Sequence, residues 1–473
     1  MFSKNVEDIP DIDFLSSEPR LDTNEKFILE GWLPSESTQK LLKSVSVDQK
    51  DSANYTLPGL FKPEFNAENN SINQIKKLFI SLKYSPEEAE SFYKPISLEK
   101  VSPDEEGLMF LIKNGWYIAA CDLTHRLLTN CGHGLGQTGQ NTAILTEYSA
   151  HLWLIRFNLL IKLAQFDIAD REMDAFNSME APDIYYQAFP SKYGNRKGSI
   201  IPFSLRILHA ILPYYLNKKR ESIEKIYLLI HTINSILKNI ESGYSEDGSV
   251  EVKDSKLRKN YLYVWLMRKL QLYQLSSWLY FSIGDYESSI ISAEECLKLS
   301  ESLSIKTETI NITAGIGRIY LTVIFKINLQ VGNVGKAEEY FEKSLTYLNP
   351  EDPDYFINKN LYLSMVHVAK GEYLQAKGLV FEALRNQRES IRLLNNIAVI
   401  EFYLGNISTA ISYLERIVEM DGKLVTDKTV SDLCMMYELE SGNAIHKKKI
   451  LLGKLASTCA DRIKHQSFKI LDQ

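Results

Sequence analysis

Four times in its C-terminal half the chain repeats one phrase: a glycine, a small residue five places on, then mostly apolar residues at nine and twelve. It reads Gly284-x-Tyr286-x2-Ser289-x3-Ala293-x2-Cys296, then Gly332-x-Val334-x2-Ala337-x3-Phe341-x2-Ser344. It returns as Gly371-x-Tyr373-x2-Ala376-x3-Val380-x2-Ala383 and Gly405-x-Ile407-x2-Ala410-x3-Leu414-x2-Ile417. The last two glycines stand 34 residues apart, the period of a two-helix repeat. Each glycine is the left-handed stop of a first helix, where a Cβ would be strained. The small residue lets the second helix cross the first closely, and the residues beyond it continue that face at helical spacing. Such hairpins bury their apolar faces only against neighbours, so they stack into solenoids whose work is holding other molecules. The phrase predicts an all-α scaffold and weighs against catalysis.

Weaker forms of the phrase occur at Gly115-x-Tyr117-x2-Ala120-x3-Thr124-x2-Leu127 and Ala164-x-Phe166-x2-Ala169-x3-Met173-x2-Phe176, with Trp153 eleven places ahead of Ala164. The expected fold is therefore a helical-hairpin solenoid over 101–473 that resembles tetratricopeptide repeats, clearest at about 270–422, with an irregular N-terminal extension. Ser102-Pro103-Asp104-Glu105 reads as a capping box with proline at the first helical position. Phe203–Leu216 and Glu221–Ile240 read as a degenerate hairpin, and 241–254 as a polar loop. Val430–Leu439 and Ala444–Leu455 read as a closing, capping helix pair with a polar outer face. Spacings of 48 and 39 residues between the earlier glycines require lengthened helices or linkers. Residues 1–25 are polar, acidic and expected to be disordered. Residues 26–100 are expected to pack on the solenoid, with short helices after Pro34 and over Ile72–Leu82 and an extended stretch, YTLPGLFKPEF, between them.

A chain of 473 residues with 45% hydrophobic content can bury a large core, and a net charge of −6 without a basic stripe gives no footprint for nucleic acid. Five cysteines, an odd number with three in helical stretches, fit reduced thiols in the cytosol. The N-terminus MFSKNVEDIPDIDF lacks the apolar core of a signal peptide. No uncharged apolar run approaches the ~18 residues of a membrane span, and even Ile316–Leu329 carries Arg318 and Lys326. These features predict a soluble cytoplasmic protein with no transmembrane segment.

No set of residues points to chemistry. Gly134-Leu135-Gly136-Gln137-Thr138-Gly139 matches a dinucleotide fingerprint but follows a helix with no βαβ pattern, so it reads as a loop. Cys121, His125, Cys131 and His133 lack the paired spacing of zinc ligands, and Cys121 lies beside Ala120 on the buried face. Gly335-Lys336 belongs to the repeat phrase and not to a phosphate loop. His446-Lys447-Lys448-Lys449 reads as a solvated basic face, with acidic lipid headgroups or an acidic partner as the sharper alternative. No catalytic residue, metal or cofactor is assigned. The unusual segment is the loop 181–199, APDIYYQAFPSKYGNRKGS. Its Tyr185, Tyr186, Phe189, Arg196 and Lys197 are the candidate partner-binding residues, because aromatics and arginine in an irregular connection are the material of interface hot spots. The same rings would equally plug a gap between two repeats.

That loop also carries a resemblance. HLWLIRFNLLIKLAQFDIAD (151–170), APDIYYQAFP (181–190), RKGSIIPFSLRILHAILPYY (196–215), LLNNIAVIEFYLGNISTAISYLERIVEMD (393–421) and MMYELES (435–441) resemble the trafficking protein particle (TRAPP) complex subunit 12 family. GWLPSES (31–37) and LPGLF (57–61) are similar to the segment ahead of that family's repeats. The resemblance implies a non-catalytic scaffold of the TRAPP III complex, which activates a Rab GTPase by nucleotide exchange at a site built by other subunits. It implies roles in ER-to-Golgi vesicle traffic and autophagy, partners among the large subunits 8, 11 and 13, and peripheral association with ER–Golgi intermediate and Golgi membranes. The family's larger members carry a long N-terminal region that this sequence does not include, so functions housed there are not expected here. The competing reading is a free-standing tetratricopeptide adaptor or co-chaperone. That needs a Lys/Arg/Asn clamp repeated on successive inner helices; Arg392 and Asn396 give one such pair, while the aligned positions one repeat earlier are Asn358 and Tyr362.

Overall fold

A computed structural model of the chain describes residues 31–469, apart from 49–50, 52–54, 57, 66–73, 83, 86, 89–92, 94–95, 136–142, 177–178, 308–309, 349–352, 388–389, 421, 423–424, 441 and 457–460. The expected disordered stretch 1–25 and most of the Gly134–Gly139 loop lie outside the described residues. The chain divides into two compact units, one of residues up to Pro63 with Thr124–Val331, the other of Glu64–Leu123 with residues from Gly332 onward. Residues 26–100 thus form no body of their own. Among the described residues the regular structure is helical, and β-type pairing is confined to the isolated bridges Leu60–Leu135, Tyr185–Ser199 and Tyr244–Glu251. No described helix is long and apolar enough to cross a membrane.

In the first unit, helices Glu147–Lys162, Phe166–Met173, Phe203–Tyr215, Lys219–Glu241, Ser255–Ile283, Tyr286–Thr307 and Ile310–Val331 each pack on the next in sequence. That nearest-neighbour order is the mark of stacked hairpins. The 48-residue glycine spacing is absorbed by two helices of 22 residues each. Where the phrase has serine in place of alanine, the crossing is hydrogen-bonded: Ser277 Oγ donates to the Ser289 carbonyl at 2.9 Å, and Ser289 Oγ donates to the Ser277 carbonyl at 2.7 Å.

The repeat glycines behave as their spacing predicts. Gly284, Gly332, Gly371 and Gly405 have φ between +78° and +92°, and an added Cβ would meet nothing within 4 Å, so the constraint is purely conformational. Ala164, which stands where the phrase wants glycine, also adopts φ +55°, at a cost of about 1–2 kcal/mol. The residues five, nine and twelve places after every glycine of the four clear repeats are buried. One start signal is shifted: helix Glu105–Lys113 is capped by Asp104, whose carboxylate accepts from Gly107 N at 2.9 Å. Ser102 instead hydrogen-bonds Asp104, and Pro103 precedes the helix. The carboxylate reaches the third amide of the helix, which the shorter serine two residues upstream does not.

In the second unit, helices Val334–Leu345, Pro353–Ala369, Tyr373–Asn386, Ile391–Tyr403, Ile407–Met420, Asp427–Glu440 and Ala444–Ala456 follow the same order. Leu78, Phe79, Leu82 and Tyr93 share a core with the last four of these. The outer face of the closing pair is mixed: Leu439, Ile445 and Ile450 are exposed alongside Glu438, His446 and Lys454. The basic run is used internally. Lys448 is buried and donates to Glu438 and to the Lys469 carbonyl, Lys447 pairs with Glu440, and Lys449 lies 4.8 Å over the Tyr84 ring.

The C-terminal residues 461–468 bind this unit together. Asp461 accepts from Ile118 N at 3.0 Å, from Tyr117 N and from Tyr93 Oη at 3.1 Å, capping helix Tyr117–Asn130. Burial pushes its carboxyl up to about 6, against the pull of those donors. Arg462 donates to the Lys113 carbonyl at 2.6 Å and packs so closely that a Cβ on Gly115 would stand 2.6 Å from it. Asp461→Ala orphans these donors and should destabilise the protein by about 1–3 kcal/mol. Urea midpoints read at unchanged denaturant slope check this; an unchanged midpoint would mean the tail holds nothing.

Candidate interaction site

The loop singled out in the sequence is an ordered structure folded on itself. Pro182 opens a 3-10 turn over Pro182–Ile184, a second covers Tyr186–Ala188, and a short helix follows at Pro190–Tyr193. Tyr186 N donates to Gly198 O at 3.0 Å and Ile200 N to Ile184 O at 2.8 Å, closing the two ends. The closure turns the aromatics inward. Tyr185, Tyr186 and Phe189 are 0%, 0% and 1% exposed, so none offers its ring to a partner in this conformation. Tyr185 Oη donates to Glu180 at 3.3 Å and Tyr186 Oη to Glu147 at 3.1 Å, and burial raises the Tyr185 phenol far above its ordinary range. Arg196 lies 3.8 Å over the Tyr186 ring and pairs with Glu147. Lys197 is exposed and meets Asp247 at 3.3 Å. Of the five candidate residues, Lys197 is exposed and Arg196 half-buried.

The floor of this loop is the seat of the N-terminal extension. Trp32 is buried with its ring centroid 6.0 Å from Phe203 and 6.3 Å from Trp265, under the Arg206 guanidinium at 4.8 Å. Its indole N–H donates to Glu180 at 3.4 Å, and Glu180 also accepts from Ser35 N at 3.0 Å. Asp183 accepts from Tyr55 N at 2.8 Å, Thr56 N at 2.6 Å and Thr56 Oγ1 at 2.8 Å. The Pro58 carbonyl accepts from His133 Nδ1 at 3.0 Å, and Phe61 N donates to Glu172 at 3.1 Å. An extended segment has unpaired amides, and these carboxylates answer them one by one.

The charges beneath are themselves paired. Arg156 holds Glu172 through two hydrogen bonds of 2.6 and 2.8 Å, with both side chains fully buried. Arg206 donates to the Met179 carbonyl at 2.7 Å and to Ser199 at 3.0 Å, and Arg268 stacks 4.7 Å over Trp265 and 4.9 Å over Phe203. Glu246 accepts from Trp265 Nε1 at 3.4 Å and lies so near Gly31 that an added Cβ would stand 3.0 Å from it. Burial raises its carboxyl to about 7, although the Trp265 hydrogen bond and Arg268 oppose this. Burial lowers the His133 imidazole below its ordinary range, against the pull of the Pro58 carbonyl. Among the described residues no three His, Cys, Asp or Glu side chains gather as a metal site.

Trp32, Glu172, Glu180 and Asp183 were not picked out by sequence reasoning. A signal existed for one of them. Glu172 stands three places after Ala169 and four before Phe176, on the apolar face, and Arg156 has the same place between Trp153 and Leu160. Opposite charges on two buried stripes of neighbouring helices call for each other. Phe203-x2-Arg206 and Trp265-x2-Arg268 repeat the pattern of Trp153-x2-Arg156.

Residues 270–303 and 391–424 each match the tetratricopeptide repeat family. Over 451 aligned residues, 93% of this chain, the sequence is 30% identical to human trafficking protein particle complex subunit 12 and 31% identical to the mouse protein of the same name. The chain spans 58% and 54% of those relatives' lengths. Among solved structures, the apo form of RapI aligns over 73% of this chain and 84% of its own at 13% identity, with a TM-score of 0.37, a likeness too weak to bear on function.

Two expected outcomes separate core from surface here. Tyr186→Ala should cost about 3–5 kcal/mol, as deletion of a buried ring does, whereas Lys197→Ala should stay within about 0.5 kcal/mol. Chemical unfolding of both variants checks the contrast. Glu246, with a folded pKa of about 7 above its ordinary 4.5, contributes stability that is complete below pH 4.5 and is lost as pH rises through about 7. Wild type should therefore lose stability relative to Glu246→Gln between pH 5 and pH 8, read as urea midpoints; parallel curves would contradict the raised carboxyl.

Proposed function

We propose that this chain, a relative of trafficking protein particle complex subunit 12 across both of its compact units, is an assembly subunit of a TRAPP complex of the III form. In this reading it does no chemistry. It holds the large subunits 8, 11 and 13, and so keeps the nucleotide-exchange core near its Rab GTPase on ER–Golgi intermediate and Golgi membranes, in vesicle traffic and autophagy. The observation that carries the reading is the extent of the similarity, 93% of this chain, far beyond the two matched repeats. Repeat positions alone are shared by unrelated scaffolds; the segments 31–37 and 181–202 lie outside the repeats, and with helix Phe203–Tyr215 they build the seat described above.

The loop's role in assembly is then divided. Arg196 and Lys197 are what a partner reaches, while Tyr185, Tyr186 and Phe189 hold that surface in shape from beneath. A permanent subunit contact of this kind buries more than ~2,000 Å² in total. The adaptor reading loses its clamp. Arg392 is exposed, but at the aligned positions Asn358 is buried and Tyr362 packs its ring 5.8 Å from Phe341.

Purification of the tagged protein from its own cells tests the proposal. Other TRAPP subunits should co-elute in constant proportion. Chaperones alone, or no TRAPP subunit at all, would sink it.

A further inference from the structure

We propose that residues 461–469 are a latch that lends helix Tyr117–Asn130 the N-terminal cap its own sequence lacks, so that the start of this helix and the tail of the chain open and close as one element. The need for the cap is visible in the repeat phrase. Where Gly284 is followed by Asp285, the carboxylate caps the next helix by accepting from Ser288 N at 3.1 Å. Gly115 is followed by Trp116, whose indole can donate a hydrogen bond but not accept one. Trp116 is half-buried against the core of this unit, its ring 5.9 Å from that of Tyr93. The first amides of a helix have no partner inside it. Here they are met by a residue 343 positions further on: Asp461 takes Ile118 N at 3.0 Å, and Tyr117 N as well.

The same end of the tail completes the turn before the helix. Asp461 N donates to the Gly115 carbonyl at 3.1 Å, and Arg462 donates to the carbonyl of Lys113, the last residue of helix Glu105–Lys113. The other end is fastened elsewhere in the unit. Asp427, the first residue of helix Asp427–Glu440, accepts from Lys464 N at 2.7 Å and from Ser467 Oγ at 2.8 Å. Buried Lys448 donates to the Lys469 carbonyl at 3.0 Å. The buried apolar side chains of the segment are Ile463 and Phe468. So few buried groups, fastened by polar contacts at two ends, leave neither end able to hold the segment alone. Two costs add to this. Burial works against the ionised Asp461 carboxylate, and Lys469 stands at φ +47°, a left-handed conformation that a side chain disfavours. Both lower the free energy needed to open the tail relative to the helices beneath it. Whatever takes hold of the tail at Asp427 is thereby felt at the start of helix Tyr117–Asn130.

Hydrogen exchange on the full-length protein tests the coupling. Corrected for their intrinsic rates, the amides of Ile118, Asp461 and Lys464 should exchange at one common rate, at least about tenfold faster than those of helix Tyr373–Asn386 in the same unit. Ser467→Ala touches only the far fastening, by removing one donor from Asp427. It should speed all three amides by one shared factor, about tenfold, and leave Tyr373–Asn386 unchanged. Asp427→Ala serves the same comparison if Ser467→Ala moves none of them. A Lys464 amide that speeds up alone, with Ile118 at its wild-type rate, would show two independent contacts and overturn the proposal. So would amides that keep their wild-type rates in both variants, or that open only together with helix Tyr373–Asn386. The coupling belongs to the chain by itself, so this result and the recovery of a complex stand or fall separately.

Discussion

A carboxylate, buried or half-buried, accepting main-chain amides is the interaction on which the irregular half of this structure depends. Helices satisfy their own amides; extended segments and tails do not. In the first unit Glu180, Asp183 and Glu172 take the amides of Ser35, Tyr55 with Thr56, and Phe61. In the second, Asp122 takes Phe65 N at 2.5 Å, Asp461 takes Ile118 N, and Asp427 takes Lys464 N at 2.7 Å. Each ionised acceptor makes a stronger hydrogen bond than a neutral one, and each costs desolvation of a charge. The raised carboxyls of Asp183 and Asp461 record that cost directly. For Glu172 the Arg156 fork offsets it.

This division explains what could be read from the sequence. The repeat hairpins are local: a glycine at positive φ, a small crossing residue and an apolar stripe lie within some twenty residues of one another, and periodicity reports them. The helices Phe203–Tyr215, Lys219–Glu241 and Ala444–Ala456 follow from the same signal. The clamps are not local. Thr56 and Asp183 are 127 positions apart and Ile118 and Asp461 343, and nothing in a single sequence couples such distances. Aspartate and glutamate in a helical stretch are ordinarily solvated, so a carboxylate that faces inward is invisible unless, like Glu172, it interrupts an apolar face. The lysines at 447–449 show the converse, a basic run that reads as surface and is spent on Glu440, Glu438 and the Tyr84 ring.

The loop 181–199 stands between these cases. Its composition marked it as unusual, and it is the place where the extension is seated. Composition did not reveal that the rings face inward, because a tyrosine suits a wet interface and a dry plug equally until its hydroxyl partner is known. Glu180 and Glu147 supply those partners for Tyr185 and Tyr186. Once the hydroxyls are satisfied inside, the rings can be fully buried without an orphaned donor, and the loop's outer edge is left to polar residues such as Lys192, Asn195 and Lys197.

The mode of attachment also bears on how such a scaffold can vary. The extension buries Trp32, Thr38, Leu42, Thr56, Pro58 and Leu60 among its described residues, and the floor must keep Glu172 and Arg156 together. Substitution on the floor is costly in a coupled way, because removing Glu172 would both release the Phe61 amide and leave Arg156 buried without its counter-charge. The repeats tolerate change differently, since each hairpin answers only to its neighbours. A small set of inward-facing charges, far apart in sequence, thus keeps the extension seated on these helices.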